Sequence, residues 1–259
     1  MARFIEVGLV HIPFASPAEV DANRRRIDDI ERRLGGAPLS ASTFCQERYF
    51  PALYEIASHE VILDAVEDIL GPNFYLWGTH VISKGPGHVG YSWHQDRPHF
   101  PFRYADPSLH PPGAPVTVTA WVAVDDADIS NGAFAYVPGS HHRGELEHEI
   151  VPIAGLEEEG ITEISTIRTG LFNPQTAALA YNELPAGHVS FHHDLLIHGS
   201  GPNNSTCRRA GVSIHYARTD VVCVQTVWPN LRVRLMRGVD QHGHNPMWVD
   251  FVSSPVLLG

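Results

Sequence analysis

The feature that most constrains this chain is a series of short β segments separated by turn residues, which begins at Asn73. The segments are rich in β-branched and aromatic residues, whereas Gly, Pro and Asn occupy the positions between them. Many short strands with such punctuation are typical of a jelly roll or a barrel. The predicted strands are 74–82, the strand that carries His94, 115–124, 133–137, 188–191, 195–198, 211–217 and 221–227.

Helices are predicted before this series. Ser16-Pro17-Ala18-Glu19 has Ser at the N-cap, Pro at the first helical position and Glu three residues later, which is the pattern of a capping box. This helix is predicted to reach about Leu34, and a second helical region to span roughly 51–70 and to end at Gly71-Pro72. Both are expected to cover one face of a sheet.

The 259 residues show no internal repeat and no linker, so we expect one domain over 1–259. Two segments, 97–114 and 140–187, are long and irregular for a compact β domain. Irregular insertions of this length are usually binding loops or lids, and we expect these two to act as lids.

The charge and cysteine content limit the classes of partner. A formal net charge of −11 argues against nucleic acid and anionic membranes, because both require a basic face. Three cysteines without metal-ligand spacing are typical of a reducing compartment. No apolar run is long enough to span a membrane and the first residues do not form a signal peptide, so we expect a cytoplasmic protein. We further expect a monomer or homodimer that acts on a small molecule.

A metal site is indicated by His94-Gln95-Asp96 together with His198. Successive side chains of a strand alternate, so His94 and Asp96 lie on the same side. Two imidazoles and one carboxylate can bind one face of a non-haem Fe(II) and leave the other face open. A second such set, His192-His193-Asp194, is too close to His198 to bring three ligands around one ion from neighbouring strands.

Arg209 is predicted to bind a carboxylate near this metal site. The chain is expected to turn at 203–206 and return as a strand beside His198, which brings Arg209 next to it and points Arg208 to the opposite face. The planar guanidinium suits two-point contact with a carboxylate. The natural candidate is the distal carboxylate of 2-oxoglutarate, whose 2-oxo acid end chelates iron.

With these residues, the chain resembles the phytanoyl-CoA hydroxylase (phytanoyl-CoA dioxygenase) family of Fe(II)/2-oxoglutarate-dependent oxygenases. The motifs that carry the resemblance occur in the order of the family over roughly residues 1 to 220. They are Gly71-Pro72-Asn73, Ile82-Ser83-Lys84-Gly85-Pro86, His94-Gln95-Asp96, 99–103, Ala120-Trp121, Asn131-Gly132, 137–141, 198–203 and Arg209.

The resemblance implies a double-stranded β-helix (jelly roll, cupin-like) with N-terminal helices on one sheet. It implies Fe(II) and O2 at His94, Asp96 and His198, and 2-oxoglutarate on Arg209. It further implies cofactor contacts from three positions, which are Trp121, Ser200 and His80. Their place beside the iron strands makes three residues candidate substrate contacts, which are His99, Phe102 and Arg103. No residue beyond the metal ligands is assigned a catalytic role.

The reaction that the resemblance implies is hydroxylation of an unactivated C–H bond, with decarboxylation of 2-oxoglutarate to succinate. Asp96 is intact, whereas halogenating relatives have a small residue there, so halogenation is not favoured. Epimerisation, cyclisation and desaturation at the same iron remain alternatives, as does a non-catalytic jelly-roll binding protein. The family name does not transfer the substrate, and natural-product tailoring, as in antibiotic biosynthesis, is the substrate hypothesis.

Overall fold

The structure of the protein is a computed structural model that describes residues 1–33, 46–100, 102–152, 163–224, 231–248 and 250–251. Its α-helices are α1 (Ala2–Val7), α2 (Pro17–Arg33), α3 (Pro51–Ala57) and α4 (Glu60–Leu70). Its strands are β1 (Leu9–Pro13), β2 (Phe74–Lys84), β3 (Tyr91–His94), β4 (Phe102–Tyr104), β5 (Thr117–Ala123), β6 (Phe134–Tyr136), β7 (His148–Pro152), β8 (Glu163–Ile167), β9 (Ala180–Tyr181), β10 (His188–His193), β11 (His198–Ser200), β12 (Arg209–Arg218), β13 (Val221–Cys223) and β14 (Arg234–Arg237).

Two antiparallel sheets form the core. The larger sheet has six strands in the order β1-β10-β5-β12-β2-β14, and the smaller sheet has four in the order β3-β11-β6-β9. Non-consecutive strands are neighbours throughout, as in a double-stranded β-helix. The pairs β4–β13 and β7–β8 form two separate ribbons. The predicted jelly-roll fold is therefore confirmed.

The larger sheet separates two environments because side chains alternate along each strand. On β5 and β12, one set of side chains packs with α2, α3 and α4 in the main hydrophobic core, and it includes Val118, Val122, Val212 and Ile214. The other set faces the smaller sheet and lines a cavity between the sheets. The prediction that the N-terminal helices cover one sheet is thereby confirmed, and the opposite face is left for a site.

The predicted capping box begins α2. The Ser16 backbone N–H donates to Glu19 Oε2 at 2.7 Å, and the Glu19 N–H donates to Ser16 Oγ at 3.5 Å. Leu34, the predicted end, lies outside the described residues. The single helical region predicted for 51–70 is wrong, because it is two helices broken between α3 and α4. His59 is extended and caps α4 by accepting a hydrogen bond from Val61 N–H, and α4 ends at Gly71 as predicted.

The strand predicted for 195–198 is also wrong, because residues 195–197 form a turn and an irregular stretch and β11 begins at His198. The three apolar side chains there are buried by packing around that turn and not by a ladder. The strand predicted for 221–227 ends at Cys223, and 225–227 lie outside the described residues. None of the helices in the described ranges is long and apolar enough to cross a membrane.

Candidate active site

Three side chains from the smaller sheet meet at one end of the cavity. His94 ends β3, Asp96 follows it, and His198 begins the neighbouring strand β11, where His94 and His198 are register partners. One donor atom from each of the three lies within 4.8 Å of the other two. Asp96 Oδ1 is 3.8 Å from His94 Nε2 and 3.7 Å from His198 Nε2. The predicted ligand set thus converges on one point.

Both imidazoles present a lone pair to that point. His94 Nδ1 donates to the Ser92 carbonyl at 2.8 Å, and His198 Nδ1 donates to the Leu196 carbonyl at 2.9 Å. A carbonyl oxygen can only accept, so the proton is on Nδ1 and Nε2 is free to ligate. Burial lowers the pKa of His94 to about 3 and that of His198 to about 4, so both rings are neutral.

Asp96 is held by residues that the sequence did not reveal as part of the site. Its outer oxygen, Oδ2, accepts hydrogen bonds from Thr119 Oγ1 at 2.7 Å and from His192 Nε2 at 3.1 Å. Thr119 gives its only proton to Asp96, so His215 Nδ1, 3.1 Å away, must donate to Thr119. Burial acts to raise the pKa of Asp96, but the hydrogen bond from His192 and the electrostatic interactions with the nearby His198, His192 and His94 hold it well below its usual range.

The second His-x-Asp set divides between two roles. Asp194 does not face the triad, because Arg97 binds it through two nitrogens, each at 2.9 Å. His192, two residues earlier, lies against Asp96 instead. Its short distance from His198 along the chain excluded the set as a metal triad, and His192 was not predicted to contact Asp96. The usable signal was the alternation along β10, which puts His192 on the face opposite Phe191, a residue of the main hydrophobic core.

The cavity has a volume of about 300 Å³. The triad lies beside Thr119 and its register partner His215, whereas Arg209 lines the cavity six residues before His215 on β12. Apolar and histidine side chains form most of the wall between the sheets. The remaining lining residues include His80, Ile82, Tyr91, Ser92, His99, Phe100, Trp121, Phe134, Ile164, Ser165, Ser200 and Ser213.

Arg209 is buried, with 3% exposure, and Arg208 points to the other face as predicted. Arg208 binds Asp125 at 3.0 Å and Asp28, whereas Arg209 donates to the Gly132 carbonyl at 2.8 Å and its Nε has no hydrogen-bond partner among the described residues. Burial lowers the pKa of Arg209 to about 10, so it remains charged. The ion pairs of the described residues include none for Arg209.

One detail of the Arg209 prediction is wrong. His198 and Arg209 are not on neighbouring strands of one sheet, because β11 belongs to the smaller sheet and β12 to the larger one. The turn at 203–206 carries the chain from one sheet to the other, so His198 and Arg209 line the cavity from different sheets. Arg209 therefore lies on the wall opposite the triad.

Two of the residues predicted to contact the cofactor flank Arg209. The Arg209 guanidinium carbon lies 5.3 Å from the centre of the Trp121 ring, and Ser200 lines the same end of the cavity. Ser200 Oγ also accepts a hydrogen bond from Lys84 Nζ at 2.7 Å. Lys84, which sequence reasoning noted only as part of a motif, is fully buried there.

His80 and His99 also line the cavity, at different places. The His80 ring is 5.5 Å from that of His215, and burial lowers the pKa of His80 well below its usual value. The His99 ring is 5.8 Å from that of His94 and 5.0 Å from that of His148. Burial and the neighbouring His94 lower the pKa of His99 to about 4, so it is a neutral hydrogen-bonding group beside the triad.

Phe102 and Arg103 lie away from the cavity wall. Phe102 is buried against Trp77, with ring centres 5.1 Å apart, in a separate hydrophobic cluster. Arg103 is exposed and caps the Phe100 and Phe102 carbonyls, at 2.9 and 2.7 Å. The structure thus brings one of the three predicted substrate contacts, His99, to the cavity, and the substrate roles of the other two have no geometric support.

The ribbon β7–β8 comes from the predicted lid segment 140–187. It lies along β3, where Ser92 Oγ donates to the Ser165 carbonyl at 2.7 Å and Thr166 Oγ1 donates to the Trp93 carbonyl at 3.0 Å. Ile164 and Ser165 thereby become part of the cavity wall next to the triad. Residues 153–162, between the two strands, lie outside the described residues.

Comparisons with known proteins agree with this site. A model of the family described as phytanoyl-CoA dioxygenase (PhyH) matches residues 4–211. A Stutzerimonas stutzeri protein described as a probable alpha-ketoglutarate-dependent hypophosphite dioxygenase is 31% identical over 184 residues, which cover 71% of this chain and 57% of that protein. The chain spans about half the length of several curated relatives that it matches.

Solved structures share the fold over nearly the whole chain. The non-heme monooxygenase ThoJ, in its apo form, has a TM-score of 0.73 at 25% identity and covers 96% of this chain and 87% of its own. The alpha-ketoglutarate-dependent carbocyclase SnoK from nogalamycin biosynthesis has a TM-score of 0.69 at 21% identity and covers 90% of this chain and 94% of its own. The second likeness is one of fold alone.

Proposed function

The chain belongs to the phytanoyl-CoA dioxygenase family, and on that premise we propose that it is an Fe(II)/2-oxoglutarate-dependent dioxygenase that hydroxylates an unactivated C–H bond of a small molecule. The observation that carries the proposal is the convergence of His94, Asp96 and His198 at one end of a cavity whose opposite wall presents Arg209. A metal and an anion are the ligands that these two ends fit.

The donor set fits Fe(II). Two neutral imidazole nitrogens and one carboxylate oxygen form the facial arrangement that non-haem iron oxygenases use, and it leaves positions open towards the cavity. The His192 and Thr119 hydrogen bonds occupy the outer oxygen of Asp96, so that Oδ1 alone is directed at the ion. Hydrogen bonds of this kind fix the orientation of ligands and raise their affinity for metal.

The opposite end fits 2-oxoglutarate. Arg209 would bind the distal carboxylate, and Ser200 and Trp121 would flank it. His80 lies on the larger sheet, as Arg209 does, but nearer to the triad. When bound, iron and 2-oxoglutarate supply the oxidising chemistry, with O2 consumed and succinate and CO2 released. The protein's own residues orient the two ligands, and the apolar wall excludes water.

The substrate is proposed to enter beside His99 and the β7–β8 ribbon, which we propose as the lid of a single catalytic domain. A relative named for hypophosphite and a family named for phytanoyl-CoA indicate that substrates vary widely among these proteins. Natural-product tailoring is the class we propose for this chain. Support comes from the fold shared with a carbocyclase of nogalamycin biosynthesis.

The proposal is tested with the purified protein, Fe(II) and 2-oxoglutarate, by following succinate release. Asp96→Ala and His198→Ala are expected to abolish the release, whereas His11→Ala, on the exposed side of β1, is expected to leave it unchanged. Arg209→Leu should raise the 2-oxoglutarate concentration needed by about two orders of magnitude, because a charged hydrogen-bonded partner is lost. Arg208→Leu is the matched control.

Two results would contradict the proposal. Succinate release that survives Asp96→Ala would remove the metal assignment. Purified protein that binds no Fe(II) and releases no succinate would favour a non-catalytic binding protein. Once a substrate is found by its stimulation of succinate release, the mass of the product separates the reactions, since hydroxylation adds one oxygen atom and epimerisation, cyclisation and desaturation add none.

A further inference from the structure

Lys84 is a buried amine at the anion end of the cavity that the proposed function leaves without a role. It ends β2 and is the register partner of Arg209 on β12, so the two cationic side chains leave neighbouring strands side by side. The Lys84 side chain is fully buried. Among the ion pairs of the described residues, none involves Lys84 or Arg209, and a buried charge without a counter-charge is costly.

The three directions of the Lys84 ammonium group are all occupied. Nζ is 2.7 Å from Ser200 Oγ, 2.7 Å from the Gly201 carbonyl and 4.9 Å from the centre of the Tyr91 ring. This arrangement positions the amine beside Ser200 and keeps it behind the cavity wall. Lys84 itself is not among the residues that line the cavity, whereas Ser200 is.

The contact with Lys84 decides which way the Ser200 hydroxyl points. In its charged form, which a bound carboxylate favours, the Lys84 amine has no lone pair, so Ser200 Oγ must accept from it and must turn its own proton elsewhere. In the described part of the chain, the structure shows no acceptor for that proton. The remaining direction is the cavity, at the end where Arg209 faces it.

We propose that Lys84 is a positioning residue for the anion end of the cavity, where its ammonium group holds the Ser200 hydroxyl with the proton turned towards the carboxylate that Arg209 binds. The inference rests on the proposed function for the identity of that carboxylate as 2-oxoglutarate. It adds a residue that acts through Ser200 and a second positive charge that attracts the dianion.

Protonation of Lys84 and binding of the anion are then linked. Burial and the charge of Arg209 lower the pKa of Lys84 to about 6. Arg209 on β12 and Tyr91 on β3 are the titratable groups that face the amine, and β11 presents the Ser200 hydroxyl and the Gly201 carbonyl. A carboxylate beside Arg209 favours the charged amine, so it raises this pKa. Binding of 2-oxoglutarate near pH 7 is therefore accompanied by proton uptake.

The test measures binding of 2-oxoglutarate to the Mn(II)-loaded protein by titration calorimetry. Lys84→Met keeps the length and apolar stem of the side chain but removes the charge and the donors, and should raise the Kd for 2-oxoglutarate about tenfold. The matched control is Ser83→Ala, the adjacent buried residue whose side chain lies on the other face of β2, and it should leave the Kd unchanged.

A double-mutant cycle with Ser200→Ala tests whether Lys84 acts through Ser200. If it does, Lys84→Met raises the Kd less in the Ser200→Ala background than in the parent, because only the charge of Lys84 is then left to remove. If the two substitutions instead raise the Kd independently, so that their factors multiply in the double variant, the inference is overturned. Repeating the titration of the unsubstituted protein in buffers of different ionisation enthalpy measures proton uptake, and this readout stands even where Lys84→Met does not fold. Absence of uptake between pH 6 and 8 would equally overturn the proposal.

Failure of this inference is distinguishable from failure of the proposed function. If the unsubstituted protein binds no 2-oxoglutarate, the function is wrong. If it binds 2-oxoglutarate in a way that requires Arg209 but not Lys84, the function stands and only the role of Lys84 falls.

Discussion

The two oxygens of Asp96 have different partners, and this difference organises the site at the scale of single residues. Oδ2 faces Thr119 and His192, while Oδ1 faces the two histidines of the triad. The chain from His215 through Thr119 to Asp96 gives the Thr119 hydroxyl and His215 Nδ1 one defined role each. The carboxylate is therefore oriented before any metal arrives, which lowers the cost of binding it.

Removing the Thr119 hydroxyl should weaken metal binding. Thr119→Val keeps the shape of the side chain but frees Oδ2 of Asp96, and we expect the Kd for Mn(II) to rise about tenfold. Thr117→Val is the matched control, because Thr117 lies on the same face of β5 and its buried hydroxyl has no hydrogen-bond partner among the described residues. Calorimetric titration with Mn(II) measures both. Equal affinities in the two variants would contradict a role for Thr119.

Gly211 provides space for the Trp121 ring. A Cβ at this position would lie 2.3 Å from Cζ2 of Trp121, which no real contact allows. Gly211→Ala is expected to lower the stability by roughly 1–3 kcal/mol through overpacking and to displace the ring beside Arg209. Thermal unfolding measures the loss. Adding Trp121→Phe should restore part of the Tm, and failure to do so would place the strain elsewhere.

At the scale of elements, β5 and β12 separate packing from chemistry by alternation alone. The side chains on the face towards the helices belong to the main hydrophobic core, and those on the face towards the smaller sheet line the cavity. The short 3-10 helix Gln46–Arg48 is held to β2 by a buried polar pair. In this pair, Thr79 N–H and Thr79 Oγ1 both donate to Glu47 Oε2 at 2.9 Å. Burial raises the pKa of Glu47 to about 7 despite these hydrogen bonds.

Glu47 should make the protein less stable as the pH rises from about 4.5 to about 7. Over this range the unfolded chain releases the proton that the folded protein retains, so the free energy of unfolding falls with pH. Glu47→Gln removes this dependence and should stabilise the protein above pH 7 by on the order of 3 kcal/mol. Denaturant unfolding at several pH values measures it, with exposed Glu6→Gln as the control. Parallel profiles for Glu47→Gln and the parent would disprove the assignment.

At the scale of the whole molecule, the proposed ligands connect the two sheets. The metal ligands lie on the smaller sheet, and Arg209 lies on the larger one, across the cavity. In the proposed arrangement, a metal would contact the smaller sheet alone, whereas 2-oxoglutarate would contact both sheets. A ligand that binds the folded state alone stabilises it by RT ln(1 + L/Kd), where L is the free ligand concentration, so the stabilisation grows with the logarithm of the ligand concentration once this exceeds the Kd.

Thermal unfolding should therefore show two separate increases in the Tm, one from each ligand. Mn(II) alone is expected to raise the Tm by a few degrees, and 2-oxoglutarate added to the Mn(II)-loaded protein should raise it further. Arg209→Leu should keep the first increment and lose most of the second, whereas Asp96→Ala should lose both. An increment from 2-oxoglutarate that persists in the Arg209→Leu variant would contradict a bridge between the sheets.

The sequence by itself determined the features that depend on local geometry. The alternation of side chains put His94 and Asp96 on one side of a strand, and the opposite directions of Arg208 and Arg209 followed from the same rule. The capping box at Ser16 and the start of β2 at Phe74 were likewise local. Spacing and motif order were enough to bring the triad and Arg209 into one hypothesis.

Only the tertiary structure decided what surrounds them. His192, Thr119 and Lys84 reach the site because β10, β5 and β2 are aligned at a particular register within the larger sheet, which then faces the smaller one. Register is fixed by the burial of a whole strand face and not by any short stretch of residues. For the same reason Phe102 and Arg103, close to the triad along the chain, lie away from the cavity, whereas Arg209 faces the triad from the opposite sheet.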